Sequence, residues 1–294
     1  MKKYLLLVIG AMTLIFAGCE PNGPTDAGDE SNGDTNATAK GIGVFSVSID
    51  KQVAFSPGNL QYTQSSNTWA FAENQWDYIG TDNLTGGSVS SGQYGDSKEG
   101  TALADKVDLF GWSTSATYFG VSTSTDYVDY LGSFVDWGTN KIGYDAPNTW
   151  RTLTYDEWDY LLNTRTNASA LKGEAQVNGV NGLILLPDNW ECPAGMTFKS
   201  GFLTEYSAEA YGQYQMFTAE QWSKLEAASA VFLPAAGTRF GSLVNGVQFC
   251  GYYWSATQSN SDGAGCLYLY SDRAGMNGYV RNNSQSVRLI KDLQ

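Results

Sequence analysis

The sequence predicts an α+β domain built from two short helices, small twisted antiparallel sheets and long loops. The chain contains 33 glycines, 9 tryptophans and 18 tyrosines, but only 16% of its residues are charged. Many turns between aromatic residues favour a loop-rich α+β or all-β domain over a helical bundle. Two local helix signals, described below, then favour the α+β class.

The first residues have the pattern of a bacterial export signal. Two lysines precede an apolar run over residues 4–16, which is shorter than the ~20 residues of a membrane-spanning helix. The following Ala17-Gly18-Cys19 resembles the lipobox, in which the cysteine is acylated and becomes the new N-terminus. We therefore expect a signal peptide over residues 1–18 and a lipid anchor on Cys19. An ordinary signal peptide with a chance cysteine is the alternative.

Residues 19–40 are predicted to form a solvated tether. After Cys19 the segment is rich in Asp, Gly, Asn and Thr and has no Leu, Ile, Val or aromatic residue, so it cannot bury enough apolar surface to fold. Its acidic character resembles signals that send some lipoproteins of the Bacteroides group to the outer surface. The expected location is the outer membrane, with residues 41–294 exposed at the cell surface as one binding domain.

Charge and composition exclude several classes of function. A formal net charge of −13 argues against nucleic acid, whose phosphates the chain would repel, and against peripheral binding to anionic lipid. The chain has no histidine, so a Ser-His-Asp triad, a Cys-His pair and a histidine metal site are all excluded. Catalysis by carboxylates, tyrosine or cysteine remains open.

The first half of the domain is predicted from alternation and turn residues. The chain alternates in strand fashion from Val44 to Ile49, turns at residues 50–51 and continues through Val53 and Phe55, which predicts an opening hairpin. Aromatic residues at 69–71 and 75–79 indicate short strands or core anchors. The Gly-, Ser- and Asp-rich residues 81–106 are expected to form a surface insertion, and residues 113–133 another variable loop.

Two capping signals predict the helices. Thr154 is followed three residues later by Glu157, which is a capping box, and Trp158 then begins an apolar helix face. Residues 217–222 repeat the pattern, with Thr218 as the N-cap. Each helix is predicted to run for roughly three turns and to be followed by an apolar strand ending in Leu-Pro.

The last part of the chain is predicted to contain buried strands. Both ends of residues 251–293 are rich in apolar and aromatic residues, and residues 267–270 indicate a further strand between them. With Cys19 lipidated, Cys192, Cys250 and Cys266 remain. At most one disulfide can then form, and the spacing does not select a pair.

Three segments resemble a known family. Residues 150–154 (Trp-Arg-Thr-Leu-Thr) with Glu157-Trp158 resemble the Trp-Arg-Leu-Pro-Thr-x-x-Glu-Trp segment of formylglycine-generating-enzyme-like domains, which belong to the C-type lectin-like fold. Residues 253–257 and 286–289 resemble the final strands of the same group. The resemblance runs from about residue 41 to the C-terminus, is greatest to exported lectin-fold paralogues of the Bacteroides and Fibrobacter groups, and implies a C-type lectin-like fold. This fold hosts unrelated functions, so the resemblance says little about activity.

Residues 255–288 further resemble the variable segment of proteins that diversity-generating retroelements rewrite. Its polar residues belong to the set that adenine-directed mutagenesis produces from asparagine codons, and random codon change would explain an isolated Cys266 in what is expected to be a polar, exposed strand. The fixed frame would be Trp254, Leu267, Leu269, Val287 and Leu289. The candidate variable positions, which are also the predicted ligand-binding residues, are Ser259, Asn260, Asp262, Gly263, Gly265, Cys266, Tyr268, Asp272, Arg273, Gly275, Asn277, Tyr279, Arg281, Asn282 and Asn283. An ordinary loop in a paralogue of fixed specificity is the alternative.

Catalysis and metal binding are weaker alternatives. A formylglycine-generating enzyme would need Cys250 and Cys266 close together, but neither stands in the sequence context of such enzymes, and Cys250 follows an apolar run typical of a buried residue. Four acidic residues in loop-like segments leave a structural calcium ion open, namely Asp126, Asp129, Asp136 and Asp145. Paired carboxylates for glycoside hydrolysis are a further alternative, but the adjacent Asp156-Glu157 lies in the first turn of a helix, where acidic side chains interact favourably with the helix dipole. We expect no catalytic residue, no metal ligand and no cofactor.

The predicted function is binding of a protein or glycan ligand at the cell surface. Tyr, Ser, Gly, Asn and Arg on a rigid scaffold give contact area and adaptable hydrogen bonds, as in antibody paratopes. Tyr268, Tyr270 and Tyr279 could stack on sugar faces or pack on proteins, with Tyr270 the one expected to be buried. Arg273 and Arg281 could pair with acidic groups of the ligand. The alternatives are a binder of fixed specificity and a residual formylglycine-generating-type enzyme.

Overall fold

Short strands dominate the domain. A computed structural model describes residues 43–204 and 206–294, which belong to one compact unit. The strands of this described part, in chain order, are β1 (Phe45–Ser46), β2 (Gln52–Phe55), β3 (Leu60–Thr63), β4 (Thr68–Phe71), β5 (Leu84–Thr85), β6 (Ser88–Ser90), β7 (Asp96–Glu99), β8 (Ala102–Leu103), β9 (Lys106–Val107), β10 (Arg151–Thr152), β11 (Lys172–Val177), β12 (Val180–Leu185), β13 (Met216–Phe217), β14 (Val231–Pro234), β15 (Thr238–Phe240), β16 (Leu243–Val247), β17 (Gly251–Gln258), β18 (Gly263–Leu269), β19 (Ala274–Val280), β20 (Asn283–Ser284) and β21 (Leu289–Asp292).

These strands form several small sheets. Their strand orders are β1-β2-β21-β10, β13-β11-β12-β14, β20-β15-β16-β7-β6, β17-β18-β19, β4-β3-β9 and β5-β8. Among the described pairings of these strands, β11 with β13 is parallel and the others are antiparallel. The opening and closing strands meet in the first sheet, where β2 pairs with β21. The prediction of small antiparallel sheets in a mixed domain is confirmed.

Three α-helices are described: α1 (Tyr155–Asp159), α2 (Ala210–Tyr214) and α3 (Ala219–Ala227). Both predicted capping boxes are present, with Thr154 capping α1 and Thr218 capping α3. A π-helical turn, Tyr160–Thr164, continues α1. Helix α2 was not predicted, because its N-cap side chain, Glu209, makes no capping hydrogen bond. Short 3-10 turns lie at Gly80–Asn83, Tyr127–Tyr130 and Trp137–Thr139.

The β17–β19 sheet separates two hydrophobic cores. Side chains alternate between the faces of a strand, so Trp254 and Cys266 enter one core, while Tyr253, Leu267 and Leu269 enter the other. The first core also contains the buried indoles of Trp112 and Trp137, and the second contains Trp158 of α1. The five residues named above as the fixed frame are all buried.

Two predictions about the first half of the domain need correction. The opening hairpin forms, but Ile49 is 93% exposed, because the chain leaves the strand at residue 47 and turns over residues 47–50. Residues 81–106 are not only a surface insertion, since β7 within them pairs with β16 in a five-stranded sheet.

The N-terminal predictions lie outside the described residues. These are the signal peptide over residues 1–18, the anchor on Cys19 and the tether over residues 19–40. Within the part of the chain that is described, no helix is long and apolar enough to cross a membrane.

Candidate functional site

The three longest neighbouring strands bring a row of tyrosines to one face of the β17–β19 sheet. Strand pairing sets Tyr252 of β17 opposite Tyr268 of β18, and Tyr268 opposite Gly275 of β19. Directly opposed residues in antiparallel strands point to the same face. The Tyr268 ring lies over Gly275, where a Cβ would come within 3.0 Å of the Tyr268 hydroxyl oxygen.

This face ends in a concave surface, which we call the tyrosine groove. Its volume is about 450 Å³, and hydroxyl, amide and guanidinium groups surround it. It is lined by Tyr252, Tyr268, Tyr270, Arg273, Met276, Asn277 and Tyr279. The volume lies within the range of small-molecule sites, roughly 300–1,000 Å³.

Three tyrosine hydroxyls in the groove are hydrogen-bonded to one another. The Tyr252 hydroxyl contacts that of Tyr270 and lies 3.1 Å from that of Tyr279. Burial raises the pKa of both Tyr252 and Tyr270, so these hydroxyls stay neutral at physiological pH. Two hydrogen bonds among three hydroxyls leave one O–H to donate outward and several lone pairs to accept.

Arg273 forms the charged rim of the groove. Its guanidinium carbon lies 5.3 Å from the ring centroid of Tyr206 and 5.4 Å from that of Tyr270. One of its nitrogens, Nη1, donates to Asp272 at 2.8 Å, and 55% of the side chain remains exposed. The stacked guanidinium is therefore fixed in place, yet keeps free N–H donors.

A buried carboxyl lies near this rim. Glu174 of β11 is 1% exposed, and its Oε1 accepts a hydrogen bond from the Leu203 amide at 2.8 Å. Burial, with a smaller contribution from the Asp272 charge, raises the pKa of Glu174 to about 7. Glu174 therefore changes charge near neutral pH.

The structure brings four of the predicted ligand-binding residues together in the groove: Tyr268, Arg273, Asn277 and Tyr279. Four others are half-buried outside its lining: Asp262, Asp272, Gly275 and Asn283. Ser259 and Asn260 are exposed in the β17–β18 turn. Solvent can thus reach these ten positions.

The expected exposure is wrong for five predicted residues, which are buried: Gly263, Gly265, Cys266, Arg281 and Asn282. Cys266 faces Trp254 across the strands and points into the core. A Cβ on Gly265 would lie 2.6 Å from the Tyr155 ring. These five residues alternate with the exposed residues along the chain or lie next to them. Their small or polar side chains therefore pack inside the protein.

Arg281 illustrates this structural role. Its guanidinium stacks on Trp112, with the carbon 4.4 Å from the ring centroid. Its nitrogens donate to the carbonyl oxygens of Tyr130, Gly132, Asn260 and Gly263, each at 3.3 Å. It therefore connects two loops and does not face a surface ligand.

Sequence reasoning missed other residues of the groove region. Tyr252 was assigned to a buried strand, and it is 6% exposed, but its hydroxyl lines the groove. Tyr270 was expected to be buried and is half-buried. No sequence pattern indicated that Met276 or Tyr206 would lie at a binding site. The adjacent pair Tyr252-Tyr253 had to place one ring on each face, but the sequence does not say which ring faces the groove.

The acidic residues proposed for calcium have structural partners. Asp126 and Asp136 accept from the Val128 and Gly138 amides and begin 3-10 turns, Asp145 accepts from the Trp150 indole, and Asp129 accepts from the Ser124 hydroxyl. The described residues contain no group of three or more acidic or cysteine side chains that could hold a metal ion.

The three described cysteines are free: Cys192, Cys250 and Cys266. Cys266 lies opposite Trp254, and Cys250 immediately precedes β17. Cys250 is therefore four strand positions away from the residue opposite Cys266, which corresponds to about 13 Å along the strand. Burial raises the pKa of Cys250 and of Cys266 to about 12, so both are thiols at neutral pH.

The chain was compared with family models, with curated proteins and with solved structures, and none of them matches. Function is therefore inferred from the chemistry of the groove.

Proposed function

We propose that the protein is a lipid-anchored binder at the cell surface, and that its C-type lectin-like domain holds a protein or glycan ligand in the tyrosine groove. The observation that carries this proposal is the groove itself, where four sequence-predicted residues meet around a network of neutral hydroxyls. Tyrosine gives large contact area at low entropic cost, and its hydroxyl binds polar groups.

The residues that resemble the lectin-like family support the proposed fold through their contacts. Arg151 donates to Glu157 at 2.7 Å, and the same guanidinium contacts Asp292 of β21 at 2.7 Å. The Trp254 amide donates to Ser286 at 3.1 Å. The motif residues thus join α1 to the closing strands. Glu157 has a structural role in this contact, which supports the view that it is not one of a pair of catalytic carboxylates.

The state of the cysteines favours binding over formylglycine-generating chemistry. Redox and copper chemistry at cysteine uses the thiolate, whereas burial raises the pKa of Cys250 and Cys266 to about 12. Their separation along the sheet is also too large for joint coordination of one ion, since sulfur–metal bonds are only about 2.3 Å long.

The sequence features that support a location at the cell surface are the lipobox-like Ala17-Gly18-Cys19 and the acidic composition of residues 19–40.

Fixed specificity is the second candidate, and the five buried positions favour it. Random substitution at Arg281 or Cys266 would disrupt the core, so a diversified segment would have to spare them. Deep sequencing of the codons for residues 255–288 across a cell population distinguishes the two candidates. Variation restricted to the codons of solvent-exposed residues, with a near-identical DNA repeat nearby that carries adenines at those codons, supports diversification. Uniform codons without such a repeat support fixed specificity.

The binding proposal itself is tested on glycan and cell-surface protein arrays. Arg273→Ala and Asn277→Ala alter exposed side chains of the groove, so the variants should fold normally. We expect each to weaken the wild-type hits about tenfold, while the exposed control Lys141→Ala retains them. An array on which no wild-type hit weakens in either groove variant, or an absence of hits, would overturn the proposal.

A further inference from the structure

A second concave surface lies away from the tyrosine groove, on the loop that follows Trp112. It consists of two cavities of about 310 Å³ and 250 Å³. Both are lined by Tyr118 and Val121, so the two cavities adjoin. Tyr118 is 65% exposed and stands between them. Neither cavity is lined by a residue of the tyrosine groove.

The backbone beside Tyr118 is held in an unusual conformation. Phe119 has a φ of +46°, in the left-handed region that bulky residues rarely adopt. Its amide donates to Ser115 at 2.8 Å, its carbonyl oxygen accepts from the Trp137 indole at 2.8 Å, and its ring contacts Trp69. This turn directs Phe119 into the core and leaves Tyr118 exposed. Such conformations persist where surrounding structure enforces them, often at ligand sites.

The side chains around the two cavities are mostly neutral and polar. Thr114, Ser115 and Ser122 line the larger cavity, and Gln64, Asn67 and Asn140 line the smaller. Among the described lining residues there is no lysine or arginine, and the one carboxylate is that of Asp129. Arg239 and Arg281 lie behind this lining, but both are buried and donate to backbone carbonyl oxygens, so no cationic side chain of the described residues faces the cavities to pair with an anionic ligand.

We propose that the two cavities are adjacent subsites for a neutral oligosaccharide that runs across Tyr118. Hydroxyl and amide side chains both donate and accept, as sugar hydroxyls require. An exposed tyrosine ring packs against the apolar face of a sugar ring. Asp129 uses Oδ2 to accept from Ser124 at 2.6 Å, which leaves Oδ1 to accept from a sugar hydroxyl.

Neutral homo-oligosaccharides of glucose, mannose, galactose and N-acetylglucosamine, from two to six units, are the probes. We expect calorimetry on the full chain to detect millimolar or tighter binding of at least one series, with affinity that rises from the disaccharide to longer oligomers. Because the lining has no cation, this affinity should change less than about twofold between 0.05 and 0.5 M NaCl.

Variants locate the binding. Tyr118→Ala should weaken binding about tenfold and remove the dependence on length. Thr117, which also lines the smaller cavity, and Asp129 contribute hydrogen bonds, so Thr117→Val and Asp129→Asn should each weaken binding several-fold. Tyr144→Ala is the matched control, since Tyr144 is fully exposed and lines neither cavity. The proposal is overturned if none of the probes binds, or if Tyr118→Ala has no effect. The proposal is equally overturned if Arg273→Ala abolishes binding of the oligosaccharides, because the sugar would then lie in the tyrosine groove. If Arg273→Ala loses array hits but still binds the oligosaccharides, the groove proposal is supported and the two subsites remain.

Discussion

Glu174 is a buried acid whose charge depends on pH in the neutral range. Only one of its oxygens has a hydrogen-bond partner in the described structure, since Oε2 is buried without one. Asp272, whose Oδ1 is also buried without a partner, adds a negative charge nearby. An unpaired carboxylate in such surroundings is costly, so the neutral acid is favoured in the folded state.

This arrangement predicts a dependence of stability on pH. The pKa of Glu174 is raised from 4.5 to about 7 by folding, so between these values the folded state binds more protons than the unfolded state. The free energy of unfolding should therefore fall as pH rises from 4.5 through 7, and this contribution should level off above 7. The loss should be roughly 3 kcal/mol.

Urea unfolding of wild type and Glu174→Gln between pH 4.5 and 8 measures this contribution. Gln at position 174 stays neutral, so the variant should lose less stability over this interval. Glu191→Gln, at an exposed position, controls for the change of net charge and should follow wild type. Parallel curves for wild type and Glu174→Gln would contradict the prediction.

Single residues also show where sequence reasoning ends. The exposure of Tyr268 and Asn277 could be inferred from their type, but the burial of Cys266 and Arg281 could not. Cys266 is buried because the sheet has a core on both faces, whereas a strand with one face in solvent would have exposed alternate positions. Arg281 is buried because residues 130–132, far away in sequence, supply its acceptors.

At the scale of elements, the helices were predictable because their signals are local. A capping box spans four residues, and both boxes form as the sequence indicates. The sheets were less predictable because their pairing is not local: β10 pairs with β21, and β7 with β16. Strands of two to four residues carry too few side chains to reveal alternation.

The N-cap of α3 offers a direct test of how much such a signal stabilises the fold. The Thr218 hydroxyl oxygen accepts from the Gln221 amide at 3.2 Å, and the Thr218 amide donates to Gln221 Oε1 at 2.9 Å. We expect Thr218→Ala to lower the free energy of unfolding by about 1 kcal/mol. Ser223→Ala, inside the same helix, should be neutral or slightly stabilising because alanine favours helix interiors. Equal effects of the two substitutions in urea unfolding would show that the cap contributes nothing specific.

At the scale of the molecule, the β17–β19 sheet links the core to the candidate site. One face of this sheet contributes Trp254 and Cys266 to the core, and the same face carries Tyr252 and Tyr268 at the groove. The composition of residues 255–288 predicted that this region would form the site. Membership of the groove depends on strand register and on the β18–β19 turn, which the sequence does not specify. Four lining residues were therefore predicted, while Tyr252 and Met276 were not.

A core that continues directly into the groove should open as one unit. Cys250, which directly precedes β17, and Cys266, in the middle of β18, belong to the same hydrophobic cluster, whereas Cys192 is exposed. In native buffer we expect iodoacetamide to alkylate Cys192 quickly, and to alkylate both buried thiols at one common rate at least about 100-fold slower, set by global unfolding. Mass spectrometry of the three cysteine peptides measures these rates independently of Cys19, and in denaturant all three should converge. Faster alkylation of Cys250 than of Cys266 would instead mean that the groove end of the sheet opens locally, so that the tyrosine network would not be a rigid surface before a ligand arrives.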